Sequence, residues 1–394
     1  MAQATRKQTI LAARIAYLSL GILLAMWAAL VPYAKHRLGV DESIFGILLF
    51  FIGLGGFSVM PFAGALTNRT GCRAMLCFAL PAMFLIAISL AILNSLPLMA
   101  VALVFFGGLM GLAEVAIKVQ CALIERAVGR QMMSSFHAMY SLGGITGAAA
   151  MAALLGMLEL PFWPTVIISA LAIVVIFSFC YRNFLTFADF DEPEKNAHNN
   201  TLSTQQTKKK LISIPKGIVL AMGCVCFMIY TCEGVILDWA ALFLNTERGI
   251  PTAQCGFAYA SFAATMTLAR LCGDRLALRF GSERLMVTSA LIAMVGLMVT
   301  ILGMQIWQVF LGIALVGAGY ANLSPMLFSL AARKTSICLS ETVAGIATIG
   351  YLGLLVGPAV MGIVANIFDL SVIFMVEAVI MLAVAVCAVR LHRA

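Results

Sequence analysis

Charged residues are scarce in this sequence. They make up 11% of its 394 residues, whereas hydrophobic residues make up 62% and the mean hydropathy is +1.03. A soluble domain of ordinary composition carries about 25% charged residues, and it needs a polar surface to cover its core. A soluble enzyme, a nucleic-acid-binding protein and a disordered scaffold are therefore all poor interpretations of this composition.

The motifs of common catalytic and cofactor chemistry are missing as well. The eleven cysteines form no CxxC pair, and no cysteine–histidine cluster has the spacing of a metal site. No Walker loop, GxGxxG motif after a strand, HExxH or GxSxG motif occurs in a suitable context. We therefore expect no cofactor, no metal, no enzymatic activity and no ATP-driven transport by this chain alone.

What fills the sequence is a series of hydrophobic runs, each about 20 residues long, which is the length that spans a bilayer as a helix. The runs are too long and too uniformly apolar for the alternating strands of a membrane barrel. The sequence predicts an all-α polytopic membrane protein. Its twelve predicted spans lie at residues 10–32, 44–66, 74–93, 97–124, 132–157, 162–181, 214–244, 253–274, 283–303, 306–331, 341–365 and 370–390.

One long polar stretch divides these spans into six and six. Its composition, with several acidic residues and three consecutive lysines, is typical of a solvated linker. The predicted domains are an N-terminal six-helix bundle at 1–181, a cytoplasmic linker at 182–213 and a C-terminal six-helix bundle at 214–394.

The basic residues orient the spans. If the N-terminus is cytoplasmic, twenty of the 25 lysines and arginines fall in cytoplasmic segments, and only Lys35, Arg37 and Arg248 fall on the opposite side. Such an asymmetry is the positive-inside signal of a membrane protein. We expect both termini to be cytoplasmic. The net charge of +8 is then a consequence of topology, and no nucleic-acid partner is expected.

The two halves resemble each other at a nearly constant offset. Trp27-Ala28-Ala29-Leu30 recurs as Trp239-Ala240-Ala241-Leu242, an offset of 212 residues. Three glycines recur at an offset of 210, namely Gly71 as Gly281, Gly143 as Gly353 and Gly147 as Gly357. Together these matches predict a duplication that gives two pseudo-symmetric bundles. Parallel repeats of this kind are a transporter architecture, with the substrate site at the repeat interface near the bilayer midplane.

These residues resemble the major facilitator superfamily over nearly the whole chain. Residues 64–73 follow the signature of that superfamily after span 2, a glycine, then Asp-Arg, then glycine and basic residues, except that Asn68 replaces the aspartate. Residues 114–144 are similar to the YbjJ-like branch of bacterial inner-membrane permeases, related to the fucose permease, although that branch usually has asparagine where this chain has Lys118. The same similarity extends to Glu233-Gly234, Asp238-Trp239, Arg270, Gly273-Asp274-Arg275 and the glycine-rich stretch 350–358. The resemblance implies the major facilitator fold, secondary transport across the inner membrane and a monomer.

Ionisable residues inside membrane helices are costly, and they are functional candidates by default. Glu114 and Lys118 lie four residues apart, so they share a helix face. Glu114, Glu233 and Asp238 are the candidate proton-coupling carboxylates; the alternatives are a static ion pair for Glu114 and a helix cap or outer-gate hydrogen bond for Asp238. Glu377 is also buried in a predicted span, without an assigned role.

A second group of residues is predicted to control the cytoplasmic gate. The resemblance implies that Arg270 and Asp274 form a latch, and interfacial anchoring is the alternative. Candidate gating residues are Asn68, Arg69, Arg270, Asp274 and Arg279. His137 is either a proton relay or a hydrogen-bonded packing residue.

Candidate substrate-binding residues are aromatic or polar side chains within spans, where they could stack on a solute or hydrogen-bond to it. They are Trp27, Lys118, Tyr140, Asn322 and Tyr351. Tryptophan and tyrosine are also ordinary residues of the membrane interface, and Lys118 either binds substrate, pairs with Glu114 or extends towards the inner interface.

We therefore expect a secondary transporter in the bacterial inner membrane, whose partners are a small solute, protons and the lipid bilayer. Proton-coupled symport of a sugar-like or other small polar solute is the first hypothesis. The alternatives are a proton-driven exporter of amphipathic compounds, favoured by the scarcity of asparagine and glutamine in the spans, and a membrane sensor that does not transport.

Overall fold

The computed structural model of the chain describes residues 3–40, 42–158, 160–186, 189, 215–250, 252–334 and 338–393. The described residues are almost entirely helical, and they contain no strand. Most of the predicted linker lies outside the described residues, so its boundaries remain a prediction.

The helices have long apolar stretches that begin and end close to the predicted spans. We number them α1 (Gln3–Leu38), α2 (Glu42–Leu90), α3 (Leu96–Val128), α4 (Met133–Leu158), α5 (Phe162–Val175), α6 (Tyr181–Asn183), α7 (Ile218–Thr246), α8 (Thr252–Phe280), α9 (Ser282–Leu302), α10 (Ile306–Tyr320), α11 (Leu323–Lys334), α12 (Leu339–Ile367) and α13 (Leu370–Arg393). A π-helical turn, Ile176–Cys180, joins α5 to α6.

These helices account for the twelve predicted spans. Within the described residues, ten helical stretches are long and apolar enough to cross a bilayer. One of these stretches, in α2, holds two predicted spans, because the helix breaks at Gly71, whose φ of 83° and ψ of 161° are not helical. The twelfth span is α8, which carries charged residues towards its C-terminal end. The all-α architecture with twelve spans is therefore confirmed.

The chain forms two compact units. Of the described residues, one unit takes those within Met1–Val128, Met139–Ile214 and Thr335–Ala344, and the other takes those within Gly129–Ala138, Pro215–Lys334 and Gly345–Ala394. The first residues of α4 thus belong to the second unit, and the first residues of α12 belong to the first unit.

The duplication seen in the sequence recurs in backbone detail. Gly71 and Gly281 both have a positive φ, 83° and 85°, a conformation that side-chain-bearing residues rarely adopt. A Cβ added to Gly143 would overlap the carbonyl oxygen of Leu18 in α1, and a Cβ added to Gly353 would overlap that of Phe227 in α7. The same glycine therefore lets the first and fifth spans of each half approach closely.

Two of the three basic residues predicted on the non-cytoplasmic side have equivalent structural roles. Arg37 donates to the carbonyls of Leu93, Ala91 and Leu90 at 2.9, 2.9 and 2.7 Å, where α2 ends. Arg248, 211 residues later, donates to the carbonyls of Thr300 and Ile301 in the last turn of α9. The final carbonyls of a helix have no partner within it, and a cation there also interacts favourably with the helix dipole. Each of these arginines therefore caps the end of a helix, Arg37 at α2 and Arg248 at α9.

Replacing Gly143 by alanine tests the close packing of α1 and α4. The added Cβ would overlap the backbone of Leu18, so we expect the free energy of unfolding to fall by roughly 1–3 kcal/mol. Gly144→Ala is the matched control, because a Cβ there meets no atom within 4 Å; alanine should leave stability unchanged or raise it by up to about 1 kcal/mol. Thermal unfolding of the two purified variants in detergent measures the difference, and equal midpoints would contradict the packing.

Candidate functional site

The second unit contains an ion pair between two residues that the sequence predicts separately as gating and coupling groups. Nη2 of Arg270 in α8 lies 3.9 Å from Oε1 of Glu233 in α7. The Arg270 side chain is 8% exposed, and that of Glu233 is 36% exposed. At 3.9 Å the two charges attract each other, but the distance is too long for a hydrogen bond. Glu233 is therefore held loosely and remains accessible.

A break between α10 and α11 provides a second partner for Arg270. Pro325, in the first turn of α11, has no N–H, and a proline ring crowds the carbonyl four residues before it, here that of Ala321. Because Pro325 cannot bond to it, the Ala321 carbonyl is available, and Nε of Arg270 donates to it at 3.2 Å. The guanidinium is thus held by a backbone carbonyl as well as by the carboxylate of Glu233.

Tyr259 completes the surroundings of this pair. It lies about three turns before Arg270 in α8, and its hydroxyl is within electrostatic reach of both Glu233 and Arg270. Its ring packs against that of Phe262, with 6.1 Å between centroids. Nothing in the local sequence of Tyr259 distinguishes it from a tyrosine of the membrane interface, so its place beside this pair could not be predicted.

Asp274 caps a helix. Its Oδ1 accepts from the backbone N–H of Ser134 and its Oδ2 accepts from that of Ser135, both at 3.0 Å. These N–H groups lie in the first turn of α4, where they have no partner within the helix. A carboxylate supplied by α8 therefore satisfies both donors, and its charge opposes the positive end of the helix dipole.

Asn322 and Gly273 extend this contact. Oγ of Ser134 donates to Oδ1 of Asn322 at 2.9 Å, and Nδ2 of Asn322 donates to the carbonyl of Ala269 at 3.4 Å. A Cβ at Gly273 would overlap Oδ1 of Asn322 and lie 2.7 Å from Oγ of Ser134. Asn322 was predicted as a substrate contact, and the structure engages its amide in packing around Gly273. Its role towards a solute stays a prediction.

In the first unit, Glu114 and Lys118 form an ion pair along α3. Nζ of Lys118 lies 3.1 Å from Oε1 of Glu114, and their side chains are 1% and 24% exposed. Breaking a buried pair by removing one partner is strongly destabilising. The more buried Lys118 therefore needs the ion pair more than Glu114 does, because the Glu114 carboxylate keeps some access to solvent.

The other predicted residues are distributed over both units. In the first, Trp27 and Asn68 are buried, and Arg69 is exposed. The Asn68 side-chain oxygen has no hydrogen-bond partner among the described residues. Tyr140 is half-buried in α4, in the part of that helix that belongs to the first unit.

The remaining predicted residues lie in the second unit. Nδ1 of His137 lies 2.9 Å from the carbonyl of Met133, one turn earlier in α4, which supports packing as much as a relay. Tyr351 is buried. Arg279 is exposed, and its guanidinium carbon lies 5.4 Å from the centroid of the Phe280 ring. Asp238 lies in α7, but its side chain is outside the described residues.

Comparison with known proteins agrees with this architecture. The family model described as Major Facilitator Superfamily matches residues 10–351 and 219–394. An uncharacterized MFS-type transporter of Yersinia pestis is 37% identical over 375 residues, which are 95% of this chain and 94% of that protein.

Two solved structures share the fold. The transporter FucP in its outward conformation has a TM-score of 0.78 at 14% identity, over 96% of this chain and 97% of that one; FucP is a fucose:proton symporter of E. coli. The human organic anion transporter MFSD10 has a TM-score of 0.72 at 16% identity, over 97% of this chain and 99% of that one. Likeness at such identities concerns the fold alone.

The Asp274 cap is testable by hydrogen–deuterium exchange. Asp274→Ala removes both acceptors, so the protection of the first turn of α4 should fall by about 1–2 kcal/mol, and the amides of Ser134 and Ser135 should exchange faster. Asp274→Asn keeps one acceptor oxygen and should give an intermediate effect. The first turn of α13 is an internal control, because the Ser371 amide there donates to Glu247 instead. Unchanged exchange at Ser134 and Ser135 in Asp274→Ala would refute the cap.

Proposed function

Because this chain belongs to the major facilitator superfamily, we propose that it moves a small solute across the bacterial inner membrane by alternating access, coupled to protons. The chain is a multi-pass membrane transporter and not an enzyme. The observation that carries the proposal of proton coupling is the ion pair of Glu233 with Arg270.

A carboxylate inside a membrane helix has two ways to avoid an unpaired charge. It can pair with a cation, or it can bind a proton. Glu233 has both available, because its partner Arg270 is 3.9 Å away and its own side chain is partly exposed. A conformational change that moves the guanidinium further from Glu233 would favour protonation. The pair thereby links the protonation of Glu233 to the conformation of the second unit.

Glu114 offers the same choice in the first unit. Its ammonium partner Lys118 is one turn away on the same helix, so the pair can break by side-chain rotation alone. We propose Glu114 and Asp238 as further coupling carboxylates. Lys118 binds either Glu114 or the solute.

The gate is proposed at the cytoplasmic end of α8. Asp274 holds the start of α4 through two hydrogen bonds that a small helix movement would break together. Contacts that change as a unit suit a two-state transition. The remaining proposed gating residues are Arg270 and Arg279 in the second unit and Asn68 and Arg69 in the first. His137 follows Ser134 and Ser135 in α4 and is the proposed relay.

The solute is proposed to be sugar-like or another small polar compound, bound by Trp27, Lys118, Tyr140, Asn322 and Tyr351. Support comes from FucP, which shares the fold and is a fucose:proton symporter. A second candidate, a proton-driven exporter of amphipathic compounds, is favoured by the engagement of the Asn322 amide in helix packing. That engagement leaves fewer hydrogen-bonding groups for a sugar.

The proposed orientation places both termini in the cytoplasm. It rests on the excess of basic residues in the cytoplasmic segments, and on the capping roles of Arg37 and Arg248, which explain their position on the other side. We propose that the protein acts as a monomer, as expected from the superfamily.

Transport by purified protein in proteoliposomes tests the function. We would enclose a pH-sensitive dye, add pools of sugars, organic acids and lipophilic cations in turn, and compare the wild type with Glu233→Gln and Glu114→Gln. We expect a solute-dependent pH change in the wild type that either variant loses, since glutamine cannot take up a proton. Glu283→Gln is the control, because Glu283 lies in the first turn of α9, away from both pairs.

The outcomes separate the hypotheses. A pH change with sugars supports symport, and one with lipophilic cations supports the exporter. Solute uptake without a pH change would overturn proton coupling and leave a facilitator. A folded protein that moves no solute in any pool would favour the sensor.

A further inference from the structure

A basic cavity that neither the coupling nor the gating proposal uses lies at the start of α9, in the second unit. Its volume is about 380 Å³, which is in the range of small-molecule sites. Three cations line it, Arg284, Arg333 and Lys334, against one acid, Glu283. α9 packs against α11 and α13, and the cavity lies where α9 begins and these two helices end. It therefore carries an excess of positive charge at one end of the bundle.

The protein holds two of these cations in place. Nη2 of Arg333 donates to Oγ of Ser282 at 3.0 Å. Nζ of Lys334 donates to the carbonyls of Leu391 and His392 at 3.1 and 2.6 Å, at the end of α13. All of these acceptors are uncharged. The two cations are thus positioned without being neutralised, so they remain able to bind an anion.

The first turn of α9 adds backbone donors to the cavity. Its N-cap residue is Gly281, and no side chain among the described residues caps this end of the helix. The first amides of a helix have no partner within it, and they form the positive end of the helix dipole, which favours an anion. The first turns of α4 and α13 receive carboxylates instead, from Asp274 and Glu247. An oxyanion in the cavity would complete the start of α9 in the same way.

His392, which also lines the cavity, has a buried nitrogen without a partner. Nδ1 of its ring lies 2.8 Å from the carbonyl of Ala388, and it carries a proton because a carbonyl only accepts. Nε2 is buried and has no hydrogen-bond partner among the described residues. With Nδ1 protonated, Nε2 can donate only when the ring is a cation, which is the form that a nearby anion stabilises. An oxyanion would therefore supply a partner that the protein itself leaves out.

The position of the cavity indicates where such an anion comes from. α9 begins, and α11 and α13 end, within a few residues of the ends of the predicted spans, so the cavity lies at the level of the lipid headgroups. Its lining includes Phe280, a half-exposed aromatic side chain that suits the apolar part of a lipid. The proposed orientation puts this end on the cytoplasmic side, where basic pockets between membrane helices bind anionic headgroups.

We propose that this cavity binds a phosphate group, and that the phosphate belongs to an anionic lipid of the cytoplasmic leaflet. The first amides of α9 and the Arg333 guanidinium bind the phosphate oxygens. Arg284 and Lys334 neutralise the charge, and Phe280 packs against the apolar part of the lipid. The choice of leaflet rests on the proposed orientation, whereas the phosphate site depends on neither proton coupling nor a transported solute.

Native mass spectrometry of the purified full-length protein in a non-ionic detergent tests the site. We would titrate the protein with phosphatidylglycerol and, separately, with phosphatidylethanolamine of the same acyl chains, which has no net charge. The wild type should bind the first phosphatidylglycerol molecule more tightly than phosphatidylethanolamine. Arg284→Gln should weaken binding of phosphatidylglycerol about fivefold, since one cation near an anionic lipid contributes about that factor, and it should leave phosphatidylethanolamine binding unchanged.

Two further variants make the comparison specific. Arg182→Gln is the matched control, because Arg182 is an exposed arginine of α6 in the first unit and does not line the cavity; it should bind phosphatidylglycerol as tightly as the wild type. Arg333→Gln should lose at least as much affinity as Arg284→Gln. Arg284 has an exposed side chain, so its variant decides the case if Arg333→Gln, which loses the bond to Ser282, fails to fold.

Inorganic phosphate separates the lipid headgroup from a free ion. Added phosphate should displace phosphatidylglycerol from the wild type more effectively than chloride at equal ionic strength. Phosphate binding that depends on Arg284, without preferential binding of phosphatidylglycerol, would keep the phosphate site and overturn the lipid as its occupant.

Two results would overturn the site itself. One is equal affinity of the wild type for the two lipids together with no binding of inorganic phosphate. The other is an affinity for phosphatidylglycerol that neither Arg284→Gln nor Arg333→Gln changes. Because no transported solute enters these measurements, their failure leaves the proposed function standing, and a failure of proton-coupled transport in liposomes leaves the phosphate site standing.

Discussion

The cost of leaving a polar group unpaired in hydrocarbon is the constraint on which the rest of this structure depends. It explains why the few charges within the described helices have specific partners. Arg37 and Arg248 bind the final carbonyls of helices, and Asp274 binds the first amides of α4. Arg270 binds both a carbonyl that Pro325 frees and the carboxylate of Glu233. Glu377 departs from this rule, because its carboxyl has no partner among the described residues.

The two halves of the duplication share some of these interactions and differ in others. The breaks at Gly71 and Gly281, the close approaches at Gly143 and Gly353 and the arginine caps occur in both halves, since all of them serve helix geometry. The charged pairs differ. Asp274 has Gly64 as its counterpart 210 residues earlier, and an added Cβ at Gly64 would crowd Ser340 and Ala344 of α12. One copy of the repeat therefore packs through a small residue where the other binds a helix terminus through a carboxylate. The two halves therefore share the features that pack their helices, whereas their ionisable residues differ.

Hydropathy and glycine spacing predict the fold well, because spans and close approaches are encoded locally. The sequence also identifies Glu114 and Lys118 as partners, because they are ionisable residues four positions apart in one predicted span. Partners that are distant in sequence could not be predicted. Nothing near Asp274 indicates that it binds Ser134 and Ser135, and the packing role of Asn322 depends on how α4 and α11 approach α8 at Gly273. The sequence shows that Glu377 is ionisable and lies in an apolar run, but only the packed helices show that its oxygens lack partners among the described residues.

The central claim is that membrane-embedded carboxyl groups of this transporter alternate between a cation and a proton as partner. Charge displacement after a rapid pH jump, recorded from proteoliposomes on a solid-supported membrane without solute, tests it most directly. The account predicts a transient current in the wild type that falls in Glu233→Gln and in Glu114→Gln, because each loses a proton-binding group. A current of the same size and pH dependence in the wild type and both variants would contradict the account.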